Sequence, residues 1–210
     1  YDALVVGGDA YVDHPSFGTA VISRVLEAEG LRVAVLAQPD WHDAEAFRAM
    51  GRPRLGVFIG AGNLDSMVAH YTAAKRRRSE DFYSPGKRTG CRPDRAAIVY
   101  CNRAREAFGP DMPIILGSLE ASLRRFAHYD YWDDSVRRAI LFDAPADLLV
   151  YGMGEAATIE IAHRLKKKQS VRTMTDIPGT GYITRDPSVC KFDHITLPSF
   201  EDVRDDKRLY

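Results

Sequence analysis

No apolar run in the 210 residues approaches the ~20 needed to cross a bilayer, and no secretory leader pattern opens the chain. A membrane-spanning or exported class is therefore not indicated, and a cytoplasmic setting is expected. Cysteine is scarce. Cys91, Cys101 and Cys190 are odd in number and widely spaced, so they make neither a disulfide framework nor a short-spaced metal-ligand cluster. Charge of one sign is lacking too. Lys and Arg total 29 against 29 Asp and Glu, and net charge names no partner. Internal repeats, low-complexity tracts and a Gly-x-Gly-x-x-Gly fingerprint after a strand are all missing. An initial Met is missing as well: the chain opens two residues before the strand-like run Ala3–Val6 and stops at Tyr210. Ser199, with Asp202 three residues on, reads as the cap of a helix beginning near the end. Together these features lead to the expectation of a domain taken from a longer protein and unable to do chemistry alone.

What is present is an alternation of short apolar runs and amphipathic stretches. Strands are expected at Ala3–Val6, Arg32–Ala37, Leu55–Gly60, Pro113–Gly117 and Asp147–Tyr151. Helices are expected at Thr19–Glu29, Ala44–Met50, from Ser66 towards Arg78, and at Asp94–Phe108, Ser135–Phe142 and Ala156–Lys168. Gly181–Arg185 reads as an edge strand or hairpin piece. This alternation predicts an α/β/α sandwich around a doubly wound, mostly parallel five-stranded sheet of Rossmann-like or flavodoxin-like type, with strand order 2-1-3-4-5. Residues 1–170 form that domain, 171–198 an edge strand or linker, and 199–210 the start of a helix leading onward.

On such sheets ligands sit beyond the carboxyl ends of the strands. Four loops lie there: 7–18, 60–65, 117–122 and 152–155. In the first, Asp9, Asp13 and His14 place two acids and a titratable nitrogen together, as base, metal ligand or cofactor ligand; equally, Asp13 could cap the helix with His14 packed beside it. Ser118, Glu120 and Ser122 follow the fourth strand, and Glu155 opens the helix after the fifth, where its charge suits the helix dipole. Small residues there admit a flat ligand, or serve tight helix–strand packing. Tyr131 and Trp132, among interleaved acids, suit stacking on a ring or an interdomain contact. The stretch 75–106 holds ten Lys and Arg against four acids. It could contact RNA or another anionic partner through Lys75–Arg105, or stay a solvated helix end.

The strings Gly8–Gly18, Ala37–Trp41, Asn63–Met67, Arg92–Ala96 and His128–Trp132 resemble the N-terminal domain of YgiQ-type radical-SAM proteins, from about residue 3 to 208. The resemblance implies that a radical-SAM barrel follows, carrying a [4Fe-4S] cluster that cleaves S-adenosylmethionine reductively. Its Cys-x-x-x-Cys-x-x-Cys motif is not in this chain, so no catalytic residue and no metal ligand carries over. The partners implied are the chain's own C-terminal radical-SAM domain and an unknown substrate, with this domain binding the substrate or a corrinoid, or covering the barrel. More distantly, the chain is similar to cobalamin-binding domains of radical-SAM enzymes. Their Asp-x-His-x-x-Gly ligand motif stands here as Asp13-His14-x-x-x-Gly18, with the histidine one residue early. That displacement argues against simple axial ligation of cobalamin.

Overall fold

The computed structural model describes all 210 residues. In chain order the elements are β1 (Ala3–Gly7), α1 (Gly18–Ala28), β2 (Val33–Ala37), α2 (Glu45–Arg48), β3 (Gly56–Gly60), α3 (Ser66–His70), α4 (Ala96–Phe108) and β4 (Ile114–Leu116). They continue with α5 (Ser118–Leu123), β5 (His128–Asp130), β6 (Ser135–Arg137), β7 (Leu148–Val150), α6 (Glu155–Lys166), β8 (Thr180–Gly181) and α7 (Phe200–Asp205). The main sheet has the order β2-β1-β3-β4-β7-β8. Its first five strands are parallel, in the expected 2-1-3-4-5 arrangement, and β8 adds an antiparallel edge. The period of two in each strand explains the layers. Leu4, Val6, Val57, Ile59, Ile114 and Leu116 face one core, closed by Ala97, Tyr100, Cys101, Ala104 and Phe108 along one stripe of α4. Val5, Phe58, Ile115 and Val150 face the other, closed by Leu26 of α1 and by Ala157, Ile161 and Leu165 of α6. Both faces of the strands are buried, which is why they read as continuous apolar runs.

The segment after α6 is less loose than a linker: Val171, Met174 and Ile177 are buried in the second core. The edge strand is confined to Thr180–Gly181 rather than reaching Arg185. The capping box at Ser199 forms as read, with Ser199 and Asp202 bonding reciprocally. No helix is long and apolar enough to cross a membrane.

Three local expectations are corrected. The helix from Ser66 ends at His70, because Asp94 draws both His70 Nδ1 (2.6 Å) and the Tyr71 hydroxyl (2.8 Å) out of register. Arg78 Nε then donates to the carbonyls of Val68 and Tyr71, closing the last turn. Tyr71 bridges Arg77 across a tight basic turn instead of continuing the helix. The stretch 135–142 is a strand, β6, followed by a single 3-10 turn at Ile140–Phe142. β6 pairs antiparallel with β5. The buried carboxylate of Asp130 organises this hairpin: it accepts from Trp132 N (2.9 Å) and pairs with Arg95 (2.8 Å). Finally, the loop after the fourth strand is itself helical from Ser118 to Leu123.

His128, at the base of that hairpin, has a buried Nε2 without a hydrogen-bond partner. Burial lowers its pKa below the usual histidine range. A histidine kept neutral in the fold but protonated when unfolded stabilises fully above the unfolded pKa, about 6.5, and less as pH falls below it. Trp132 fluorescence should therefore report a loosening of the hairpin as pH drops from 7 towards 5, and His128→Phe should remove that acid-side change.

Candidate functional site

At the carboxyl end of the sheet, residues of α1, α6 and strands β1, β3, β4 and β7 line a cleft of about 310 Å³. Its floor is apolar, built from Val5, Phe58, Ile115 and Val150, one from each strand, with Ile22 of α1 as a wall. Gly60, Gly117, Gly152 and Gly154 bring bare backbone to its rim, beside the hydroxyl residues Thr19, Ser118 and Thr158. The N-cap residues Phe17 and Gly154 supply no side-chain cap, but Asn63 Oδ1 accepts from Gly18 N (3.4 Å) at the start of α1. The start of α6 thus keeps free N–H groups at the mouth of an apolar-floored slot, an arrangement suited to a polar group on a flat apolar body.

Of the residues singled out in the sequence, Ser118 and Glu155 line this cleft. Ser118 is a non-glycine residue at φ +75°, a strained conformation that persists where surroundings impose it. Its Oγ accepts from Ala61 N at 3.1 Å, tying the ends of β3 and β4 together. Glu155 opens α6 and is half-buried at the rim. Ser122 stands just behind, donating to the Ser118 carbonyl (2.8 Å) and accepting from Gly152 N (3.3 Å), so that it braces two rim loops.

The acids of the first loop do not meet at the cleft. Asp13 is exposed and paired with Arg24, whose hydrogen bonds hold its carboxyl below the usual range, and the Tyr11 hydroxyl donates to it at 3.3 Å. It does not cap α1, whose N-cap position is Phe17. His14 is exposed, and its Nδ1 accepts from Ser16 N at 3.1 Å. Asp9 is turned inward. It accepts from Asn63 N (2.7 Å) and from the fully buried Arg92 (2.8 Å). Arg92 also forks onto both oxygens of Asp81 at 2.9 Å. Burial raises the Asp9 carboxyl above the usual range, and the Arg92 charge offsets only part of that. Ser84 donates to Asp81 and receives Gln38, so one polar knot joins the loops that follow β1, β2 and β3. The backbone there is pressed close: a Cβ on Gly8 would overlap the carbonyl of Ala61, and Gly62, at φ +115°, lies against the Asp9 carboxylate.

Glu120 is also interior. Its oxygens accept from Ser66 N (2.8 Å) and Ala97 N (3.0 Å), capping the starts of α3 and α4 together. Burial, and then the neighbouring Asp65, push its carboxyl up. Tyr131 and Trp132 sit at the hairpin tip, away from the cleft lining, where Trp132 packs on Tyr71 with ring centres 5.4 Å apart.

The sequence reading missed Ile22, Phe58, Thr19 and Thr158 as cleft residues, since they read as ordinary helix and strand positions. It also missed Arg92, whose only signal was a lone arginine in a Cys-Arg-Pro-Asp turn. No group of three or more His, Cys, Asp or Glu side chains is arranged to hold a metal. Cys101 is buried in the first core, where desolvation pushes its thiol up.

A family model described as radical SAM N-terminal matches residues 1–210. A UPF0313 protein of Clostridium botulinum is 56% identical over 209 residues, covering 100% of this chain and 32% of the relative. A UPF0313 protein of Methanocella arvoryzae is likewise 56% identical over 209 residues, with 35% of that protein covered. One from Clostridium perfringens is 53% identical, with 31% covered. The chain thus spans about a third of the length of the curated relatives it matches. No solved structure matches it.

Proposed function

Because this chain belongs to the radical SAM N-terminal family, we propose that it is the accessory domain of a radical-SAM iron–sulfur enzyme and that its cleft binds a substrate or a corrinoid beside the catalytic barrel. The observation that carries the ligand-binding part is the cleft itself. It is apolar at the floor, glycine-rimmed, and lies at the strand ends beside the uncapped start of α6. A flat ring system with a hydrogen-bond-donating edge suits this floor and rim. Glu155 would accept a hydrogen bond from such a ligand, and Ser118 and Thr158 would orient it.

Iron–sulfur chemistry would have to come from outside these residues. Cys101 is walled into the core, and the other two cysteines share no metal-holding cluster with it. For a corrinoid, the cleft fits a heterocyclic tail better than the first loop fits an axial ligand. Asp13 is committed to Arg24 rather than to His14, so the histidine lacks the carboxylate partner that orients a metal-bound imidazole.

The test uses the full-length protein, reconstituted without oxygen, alongside Ile22→Trp, which puts an indole into the cleft. Reductive cleavage of S-adenosylmethionine is expected in both proteins, and its absence from the reduced wild type would sink the enzyme class. Hydroxocobalamin should change its visible spectrum with the wild type and at least tenfold more weakly with Ile22→Trp. An unchanged spectrum with both removes the corrinoid and leaves the substrate as occupant.

A further inference from the structure

We propose that the basic turn Lys75–Arg78 and the adjoining loop at Arg88 form a docking face for single-stranded RNA. The structure divides the ten cations of this stretch in two. Lys87, Arg92, Arg95, Arg103 and Arg105 each have a carboxylate partner. The other five, Lys75, Arg76, Arg77, Arg78 and Arg88, have none within ion-pair distance and are all exposed. Elsewhere in the fold most arginines are paired, and the other run of unpaired cations, Lys166–Lys168 at the end of α6, has no exposed aromatic ring among its cation contacts.

These five belong to one surface. Arg77 Nη2 lies 3.6 Å from where a Cβ on Gly90 would stand, which brings the turn against the loop that carries Arg88. The turn is also held in place rather than trailing. Lys75 Nζ donates to the Trp132 carbonyl at 3.2 Å, and the Tyr131 hydroxyl to the Ala73 carbonyl at 2.5 Å. Arg78 is partly committed to the carbonyls that end α3. Arg88 Nε also donates to the Pro85 carbonyl, at 3.4 Å, while Arg76 and Arg77 have no side-chain hydrogen bond and are free to meet phosphates.

Aromatic rings flank the cations. Phe82 is 74% exposed with the Lys87 ammonium 4.8 Å from its ring centre. Tyr131 is 47% exposed with Lys75 at 4.9 Å. Exposed rings beside cations, one of them the unpaired Lys75, suit a strand whose bases stack while its backbone lies along the charges. A lipid surface would instead be met by an amphipathic helix with an apolar face; this segment is a turn, and residues 72–80 hold only Ala73 and Ala74 as apolar side chains.

The experiment measures anisotropy of a labelled single-stranded RNA of about 16 nucleotides, the upper end of one single-strand site, on the full-length protein. Salt is varied from about 50 to 200 mM. The combined variant Arg76→Gln, Arg77→Gln, Arg88→Gln removes charges with no carboxylate partner, and an unchanged thermal melt confirms that it folds. Binding should weaken at least tenfold. The slope of log affinity on log salt should flatten by about two, at ~0.7 for each phosphate no longer neutralised. Phe82→Ser should weaken RNA about tenfold through lost stacking while leaving heparin binding unchanged. No binding at low salt, full affinity in the combined variant, or an effect of Phe82→Ser on neither ligand would each overturn the proposal. So would binding to phosphatidylglycerol vesicles through the same arginines without binding to RNA.

Discussion

Replacing Arg92 with methionine is expected to cost about 3–5 kcal/mol of folding stability, the scale for removing one partner of a buried ion pair. The side chain is fully buried and stands between two carboxylates that are themselves almost wholly enclosed. Without the guanidinium, Asp9 and Asp81 would face each other across a dry space, with no counter-charge and fewer donors. Arg92→Lys should recover little of the loss. An ammonium is a point charge and cannot donate to both oxygens of Asp81 while reaching Asp9. The measurement is a urea melt of the wild type and both variants. Near-equal midpoints for wild type and methionine would show that the knot contributes no stability. Adding Asp9→Asn to Arg92→Met should restore part of the lost stability, because it removes one of the two stranded charges.

Glu120→Ala should cost about 3 kcal/mol, as charge-assisted bonds contribute about 1.5–3 kcal/mol each and two buried backbone N–H groups lose theirs at once. The affected donors begin α3 and α4, so the damage spreads into the wall of the first core. Glu120→Gln is a sharper probe. One of its amide ends must point an N–H at a backbone N–H, so it should lose a comparable part of the stability despite its equal size. Neither variant should change ligand affinity of the folded protein by more than about twofold, since Glu120 does not line the cleft. A large fall in affinity with an unchanged melt would return Glu120 to the binding site.

The two glutamates opening helices at strand ends, Glu120 and Glu155, look alike in sequence and end up in opposite roles. What separates them is the helix pair that α4 forms over Glu120, an arrangement set by residues 23 and 54 positions away. Asp9 has its buried partner 83 residues away, out of reach of any local pattern. The parallel sheet, by contrast, was legible throughout. Each strand is a local apolar run bounded by glycine or proline, and the order follows from the rule that parallel crossovers are right-handed. The β5–β6 hairpin was not. Its strands are three residues each, and its register depends on Asp130 finding Arg95 on another element. Local periodicity carries helices and buried strands well. It carries poorly the turns whose shape is settled by a charge arriving from elsewhere.

The two-residue strand β8 has a consequence out of proportion to its length. β7 is the most apolar border of the parallel sheet, Leu148-Leu149-Val150, and without a neighbour its outer side would be a row of free donors and acceptors. β8 runs antiparallel along it, and Gly179 takes the N–H of Tyr151 just past its end. The chain then leaves towards Pro187, too soon to offer a long template of its own. The border is thus sealed by a piece too short to recruit another copy, which guards the domain against sheet-to-sheet aggregation on the side where it is stickiest.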